Sequence, residues 1–408
     1  MSVSAPAAVP RLVLLEPSKV RTYHITLMDG LIRGYSAAGA ERRWGRPLLL
    51  AHPSFFENLS PEARAAVSYR PVPVRDQDKR ALIRKTLLEV WVVFLALLRL
   101  RRGQVLLVTS LTASATIFVE PLKWFFWWKQ MVLVVHGEIE GAFEKERQRL
   151  GSFGFYILLW LRIRRLGSTI DLAVLDSFIR DEMLREFPKS VKPDRIHLLP
   201  HPMVPLVTST VREEGPLRCC FVGYQTRNKG YPTFEALARD FPQHEFHLIG
   251  AGRDLRLGAG EQTALATIDD FLKAVARCDV AIMPYTGGYR CSLSAAATDA
   301  LAAGLHLLAT ERGTFCALAK EFGPDSVTIC HDRAAMAERL GDPAWITAII
   351  MGREARLGRI ERSHYGLPQI GNAINRLLEA KVRPASEAQL LATTRHGKRR
   401  VPAEKDVG

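Results

Sequence analysis

The sequence predicts an α/β protein made of two doubly wound domains, and three observations support that prediction. Short apolar segments recur along the chain, as expected for parallel strands that are buried on both faces. Amphipathic segments alternate with them, which is typical of repeated strand–helix–strand units. The chain has 408 residues, which is more than one hydrophobic core usually holds.

The predicted strands of the first half are all short and apolar. They are RLVLLE from residue 11, PLLLAH from 47, QVLLVTS from 104, MVLVVHG from 131, DLAVLDS from 171 and RIHLLPH from 195. An amphipathic helix is predicted over Ser177–Phe187.

The second half repeats this order. Its predicted strands are RCCFVGY from residue 218, HEFHLIGAG from 244, DVAIMPY from 279, LHLLAT from 305 and SVTICH from 326. Helices are predicted over Thr233–Phe241, Asp269–Ala276 and 367–382. The glycines of HLIGAG begin a dinucleotide-binding motif but do not complete it, because Leu255 stands where the third glycine is needed.

The best linker candidate spans residues 203–216, which carry two prolines, a glycine and several small polar residues. We therefore predict one domain over residues 1–203 and a second over 204–366, followed by the helix over 367–382, which packs back toward the first domain. The basic tail, residues 383–408, is expected to be disordered.

The composition narrows the possible classes of protein. The hydrophobic fraction is 48%, which is ordinary for a globular chain. A net charge of +14 favours anionic partners, but the basic residues form no nucleic-acid reading motif. No two of the six cysteines have C-x-x-C spacing, so we expect reduced, buried thiols. With no signal peptide or membrane-spanning segment apparent, we expect a cytoplasmic protein.

One candidate anion site follows the first strand of the second half. That strand ends at Gly223, and a polar loop then carries Arg227 and Lys229 ahead of a helix. Ligands bind at the carboxyl ends of strands in open α/β sheets, glycine permits close approach, and two cations suit a diphosphate. The alternative is a solvated basic loop.

A second candidate site lies in YTGGYRCSLS, between the strand DVAIMPY and an alanine-rich helix that ends at Gly304. Ser292 or Ser294 would cap that helix, and its free amides together with Arg290 would bind an anion. The alternative is an ordinary crossover whose serine only caps the helix.

These motifs, in this order, resemble the donor domain of retaining GT-B glycosyltransferases. The chain is most similar to the group that builds bacterial surface polysaccharides, and the resemblance covers Leu217 to the C-terminal helix. It implies a GT-B fold with two Rossmann-like domains facing across a cleft. It also implies that Lys229 binds the nucleotide diphosphate. Tyr224 stands where the family has an arginine, which leaves Arg227 as the candidate replacement.

The sequence departs from the family at one motif. The family's Glu-x7-Glu pair falls on Cys291 and Asp299, so the first acid is missing. The resemblance implies that Asp299 binds the ribose hydroxyls. Some relatives have an Arg/Ser-rich loop here, and Arg290, Ser292 and Ser294 match that variant.

Candidate catalytic residues lie in the first half. His24 follows the first strand, and His136 and Glu138 follow MVLVVHG, so all three should reach the cleft. His136 resembles the family's sugar-contacting histidine, and a histidine or carboxylate here can orient the acceptor hydroxyl or accept its proton. In an inverting enzyme Glu138 would be the general base, with Glu16 as a second candidate. The alternative for each histidine is a structural role.

Two segments combine aromatic, apolar and basic residues. Residues 79–103 have an apolar centre with basic ends, and residues 120–130 carry three tryptophans and two phenylalanines between lysines. Such segments favour an anionic membrane surface or a carbohydrate. The alternative is that both belong to the core.

These observations predict a nucleotide-sugar-dependent glycosyltransferase that acts on a glycan or lipid-linked glycan, as in exopolysaccharide or other surface polysaccharide biosynthesis. We expect no metal and no further cofactor. Two alternatives stay open: a non-catalytic binding partner in a polysaccharide assembly complex, and a nucleotide-sugar epimerase.

Overall fold

The structure is a computed structural model that describes residues 11–20, 24–74, 82–143, 150, 152–205, 215–250, 252–265 and 267–382. Most of the predicted linker, residues 206–214, and the predicted tail, residues 383–408, lie outside the described residues.

The first half forms a seven-stranded, wholly parallel sheet in the order β3-β2-β1-β4-β5-β6-β7. Its strands are β1 (Leu12–Leu15), β2 (Leu48–Ala51), β3 (Ser68–Pro71), β4 (Val105–Val108), β5 (Gln130–Val135), β6 (Asp171–Val174) and β7 (Ile196–Leu198). The predicted apolar segments are therefore strands, and β3 is an additional one at the sheet edge.

Helices cover both faces of this sheet. They are α1 (Ile25–Ala37), α2 (Ala40–Trp44), α3 (Pro53–Glu57), α4 (Pro61–Ala66), α5 (Leu82–Arg99), α6 (Ala113–Phe125), α7 (Phe153–Arg165) and α8 (Ser177–Glu186). A 3₁₀ turn over Gly137–Ala142 follows β5.

The second half forms another seven-stranded sheet in the order β11-β10-β9-β8-β12-β13-β14. Its strands are β8 (Arg218–Val222), β9 (Glu245–Gly250), β10 (Arg253–Arg256), β11 (Gln262–Ala264), β12 (Val280–Met283), β13 (His306–Thr310) and β14 (Val327–Cys330). The strand β10 runs antiparallel to both of its neighbours, β9 and β11, and the other described pairs of this sheet are parallel. The glycines of HLIGAG therefore enter a hairpin and not a helix, unlike those of a dinucleotide-binding motif.

Of the helices described in the second half, the first three agree with predicted ones, and the next four were not predicted. In chain order, these helices are α9 (Tyr231–Asp240), α10 (Ile268–Ala276), α11 (Ala295–Ala302), α12 (Gly313–Phe322), α13 (Arg333–Leu340), α14 (Pro343–Met351) and α15 (Arg353–Arg362). None of the described helices combines the length and apolarity that crossing a bilayer requires.

A last helix, α16 (Leu367–Val382), leaves the second half and packs on the first. Its residues Ile370, Ile374 and Leu378 are fully buried in the same hydrophobic core as the first sheet. Asn375 accepts a hydrogen bond from the Trp44 indole at 3.0 Å, which fixes the helix against α2.

Both sheets reverse their strand order beside their first strand, between β1 and β4 and between β8 and β12. In doubly wound sheets this switch point opens a crevice at the carboxyl ends of the strands, where ligands bind. The predicted site residues follow these strands or their neighbours, so the topology places both candidate sites at switch points.

Candidate functional site

The second switch point presents a lysine in a confined place. Gly223 ends β8 with φ +108°, and a Cβ there would lie 2.8 Å from Nζ of Lys229. The ammonium also lies 5.7 Å from the centre of the Tyr285 ring. Burial lowers the pKa of Lys229. No described residue forms a hydrogen bond or ion pair with this ammonium, so an anion entering the crevice would find an uncompensated charge.

The loop that carries Lys229 is held against the loop after β12. Gly230 has φ +70°, and a Cβ there would lie 1.7 Å from the carbonyl oxygen of Pro284. The hydroxyl of Thr286 donates to the carbonyl of Arg227 at 2.9 Å. The side chain of Arg227 is exposed at the rim. The loop backbone is thus fixed, while its cations remain accessible.

Ser294 caps α11, as predicted. Its hydroxyl accepts from the amide of Ala297 at 3.4 Å and lies 3.3 Å from the hydroxyl of Tyr285. Ser294 is therefore buried between α11 and the ring of Tyr285, the same ring that Lys229 approaches. Gly304 follows the helix with φ +76°, as the predicted C-terminal cap requires.

The loop before α11 already binds a carboxylate of its own chain. Glu140, from the 3₁₀ turn after β5, accepts hydrogen bonds from the amides of Arg290 at 2.7 Å and Cys291 at 2.8 Å, and from the hydroxyl of Ser292 at 3.2 Å. Glu140 is only 6% exposed. These donors therefore form an anion-binding group, and in this structure a carboxylate of the first half occupies it.

Arg290 also faces the first half. Its guanidinium lies 2.6 Å from a carboxylate oxygen of Glu186 and 3.4 Å from one of Glu182, both on α8. The thiol of Cys291 is buried against the carbonyl of Ile179 on the same helix. To bind a diphosphate, Arg290 would have to leave these carboxylates.

Asp299 lies on α11 opposite the start of α1. Burial raises the pKa of Asp299 to about 7, and a hydrogen bond from the side chain of Thr26 opposes that rise. Its carboxyl group therefore titrates near neutral pH. Thr26 stands two residues after His24, so Asp299 and the candidate catalytic histidines approach the cleft from opposite sides.

The histidines of the first half form a group. The rings of His24 and His136 lie 4.6 Å apart. Nε2 of His136 lies 2.6 Å from the carbonyl oxygen of Thr109, so it carries the proton and leaves Nδ1 able to accept one. Burial lowers the pKa of His136 to about 4 and that of His201, in the segment joining the halves, to about 4.

His24 has unusual geometry. Its backbone has φ +61°, a conformation that costs a non-glycine residue about 1–3 kcal/mol. Its Nδ1 is buried and has no hydrogen-bond partner among the described residues. Burial keeps the pKa of His24 well below its ordinary value, so the ring is neutral at pH 7. Strain and an unpaired polar atom together favour a role beyond packing.

The two carboxylates near these histidines differ. Glu138 accepts a 3.2 Å hydrogen bond from the amide of His136, and burial raises the pKa of Glu138. Glu16 is fully buried, and it accepts from the amides of Ser18 and Lys19 and from the hydroxyls of Thr109 and Ser110. Glu16 thus joins the ends of β1 and β4, which leaves Glu138 as the more accessible carboxylate.

Sequence reasoning missed two residues of this site. Glu140 stands two positions after Glu138 in the same motif, yet only the folded chain shows that it reaches the loop before α11. Lys19 follows β1, and its positive charge adds to the effect of burial in lowering the pKa values of His24 and His136.

No group of three or more His, Cys, Asp or Glu side chains in the described part of the chain is arranged to hold a metal ion.

No protein-family model matches the sequence, and no curated protein matches it. Solved structures do match over most of the chain. HepE from Anabaena, in complex with UDP-glucose, is 11% identical with a TM-score of 0.58, over 90% of this chain and 99% of that one. Sucrose-phosphate synthase from Thermosynechococcus elongatus is 15% identical with a TM-score of 0.59, over 94% and 100%.

A Listeria monocytogenes protein described as a UDP-N-acetylglucosamine 2-epimerase is 11% identical with a TM-score of 0.52, over 98% of this chain and 100% of that one. At these identities the likeness shows the fold alone. The predicted GT-B fold, with two Rossmann-like domains, is thereby confirmed. The same fold serves more than one reaction, so the function has to be argued from the site.

Proposed function

We propose that this protein is a glycosyltransferase that moves a sugar from a nucleotide-sugar donor to a glycan or lipid-linked glycan acceptor. One observation carries the proposal. The ammonium of Lys229 stands without a carboxylate partner among the described residues, against Gly223, at the switch point of the second sheet. A diphosphate supplies the negative charge that this position lacks.

In this proposal the second half binds the donor. Lys229 and Arg227 neutralise the diphosphate, with the amides of the loop before α11 and the cap of Ser294 beside them. Asp299 accepts hydrogen bonds from the ribose hydroxyls. As the bond from the sugar to the diphosphate breaks, negative charge grows on the leaving phosphate, and fixed donors of this kind stabilise it by several kcal/mol.

The first half would receive the acceptor. Nδ1 of His136 and Nδ1 of His24 have no hydrogen-bond partner in the described part of the chain, so each can orient or deprotonate a hydroxyl group. Glu138, with its raised pKa, is the carboxylate best suited to accept that proton. Whether the reaction retains or inverts configuration depends on which face of the sugar the acceptor reaches.

The acceptor and the setting belong to the same proposal. We place the reaction in surface polysaccharide biosynthesis, on the cytoplasmic side of the cell membrane, with the protein attached to that membrane at its surface. The resemblance to enzymes that build bacterial surface polysaccharides supports this, and so does the high positive charge of the chain.

A ligand screen followed by one substitution tests the proposal. UDP-, GDP-, ADP- and dTDP-sugars are compared by thermal shift, since a ligand that binds the folded state raises its melting temperature. Lys229→Ala should abolish the shift and greatly reduce transfer. Lys273→Ala is the matched control, because Lys273 is exposed on α10, where it pairs with Asp269. Normal turnover in Lys229→Ala would refute the assignment.

The products separate this proposal from its alternatives. A sugar joined to an acceptor supports the transferase, whereas an altered nucleotide-sugar formed without acceptor identifies an epimerase. Donor binding without any product points to a binding partner. If no nucleotide of any kind binds, the diphosphate site itself is wrong.

A further inference from the structure

An exposed apolar face covers α5, α6 and the turn that follows α6. On α5, the side chains of Ile83, Leu87, Trp91 and Leu98 are each more than half exposed. Their spacing of four, four and seven places them on one side of the helix. The opposite side, with Val93 and Leu97, is buried in the core. This helix is therefore apolar on both sides, although only one side packs against the protein.

The second helix and its turn extend this face. Phe118, Phe125, Trp127 and Trp128 are also more than half exposed, the last two at 69% and 54%. Ring contacts join the two elements, since Trp91 lies 5.4 Å from Phe94, and Phe94 lies 5.9 Å from Phe126. We call this continuous surface, formed by residues 82–128, the aromatic face. Soluble monomers seldom expose an apolar surface of this extent without a partner.

The exposed charges within the stretch that forms the aromatic face have one sign. Residues 82–130 contain two acidic residues, and both are buried. Glu89 forms an ion pair with Lys85, and Glu120 forms one with Arg164. The exposed charged residues of the same stretch are all arginines. They are Arg84, Arg99, Arg101 and Arg102. An apolar surface with tryptophans and a cationic border complements an anionic bilayer, where tryptophan prefers the interface.

A buried lysine fixes the turn that carries two of the tryptophans. Lys123 is 1% exposed, and its ammonium donates to the carbonyls of Phe126 and Trp127, each at 3.3 Å. These bonds hold the end of α6 and orient Trp127 and Trp128 outward. The exposure of the two rings is therefore set by the fold.

We propose that the aromatic face is the surface by which this protein docks onto a bilayer that contains anionic lipids. It lies flat on the membrane, with the axis of α5, about 27 Å long, parallel to the bilayer plane. The rings insert at the level of the headgroups, and the arginines contact the lipid phosphates. This inference rests on the membrane attachment in the proposed function and names the surface responsible. Docking requires no donor, so its failure can be distinguished from a failure of the proposed sugar transfer.

Vesicle flotation of the full chain tests the proposal. Binding is compared between vesicles of phosphatidylcholine alone and vesicles with about 30% phosphatidylglycerol. We expect binding to the anionic vesicles that weakens with added salt. The triple variant Phe125→Ser/Trp127→Ser/Trp128→Ser should lose at least tenfold in partition. Met351→Ser is the control, because Met351 is equally exposed but lies on the second half.

The charges are tested separately. Arg99→Ser/Arg101→Ser/Arg102→Ser should reduce partition by about a hundredfold on anionic vesicles, and little on neutral ones. The control removes exposed arginines away from the aromatic face. It is Arg42→Ser/Arg64→Ser/Arg70→Ser. Unchanged melting temperatures show that each variant is folded.

Tryptophan fluorescence reports the contact directly. Four of the seven tryptophans belong to the aromatic face, and the others, Trp44, Trp160 and Trp345, are buried or half-buried. Insertion should shift the emission to shorter wavelength. Two results would overturn the proposal. The first is that anionic vesicles neither bind the protein nor shift its tryptophan emission. The second is a dimer in solution that the Phe125/Trp127/Trp128 variant dissociates, which would make the aromatic face an interface between two copies.

Discussion

Replacing Glu140 by glutamine should tighten donor binding. Glu140 accepts three hydrogen bonds from the loop before α11, two of them from the amides of Arg290 and Cys291. A diphosphate that uses the same donors must displace this carboxylate. Hydrogen bonds to a charged group contribute about 1.5–3 kcal/mol and neutral ones about 0.5–1.5 kcal/mol. Glutamine also presents an NH₂ group where one carboxylate oxygen stood.

The two ranges differ by about 1 kcal/mol for each bond, so weakening the two bonds from amides lowers the contact between the halves by about 2 kcal/mol, which corresponds to donor binding about 30-fold tighter. Titration calorimetry with the best donor from the thermal-shift screen measures this difference. Glu354→Gln is the control, because Glu354 is exposed on α15 and does not bond to the loop before α11 among the described residues. Equal or weaker donor binding in Glu140→Gln would show that donor and carboxylate do not compete.

Three further predictions follow from burial and geometry. Donor affinity should rise as the pH increases through about 7, because ribose hydroxyls donate hydrogen bonds to the ionised form of Asp299. Calorimetry across that pH range measures the affinity, and in Asp299→Asn the affinity should not change with pH. Burial lowers the pKa of Lys123 from 10.5 to about 8, so the folded protein releases this proton at a lower pH than the unfolded chain does. Between those two pH values the free energy of unfolding, measured with urea and compared with that of Lys123→Met, should therefore rise by up to about 3 kcal/mol. A difference between the two proteins that does not change with pH would show that burial does not lower this pKa. Gly230→Ala should lose more than about 2 kcal/mol, since its Cβ would overlap the carbonyl of Pro284; an unchanged melting temperature would refute that contact.

The central strands were predictable because they are apolar on both faces. The strands β1, β4, β5, β8, β12 and β13 lie inside their sheets, where each residue is covered by helices. The missed strands are β3 and β11, which lie at sheet edges, and β10, which pairs with β11, and their residues are mostly half-buried or exposed. Because residues that are partly exposed need not be apolar, the sequences of these strands lack the apolar pattern of the central ones. Their strand structure depends on pairing with a neighbouring strand.

The candidate site divides in a similar way. Gly223, Lys229 and the cap of Ser294 depend on local order along the chain, and the sequence contains that order. Glu140 acts on a loop 150 residues away, and it meets that loop only because the halves are apposed. Spacing in a single sequence carries no information on such an apposition, so the sequence predicts the motif that contains Glu140 but not the contact that Glu140 makes.

The return of α16 to the first half has a consequence for biosynthesis. The ribosome completes the first sheet long before it makes the helix that covers its remaining apolar surface, because the entire second half is translated in between. During that interval the groove for Ile370, Ile374 and Leu378 stays open to solvent or to chaperones. An isolated fragment that stops before residue 367 should therefore aggregate unless the missing helix is supplied as a separate peptide.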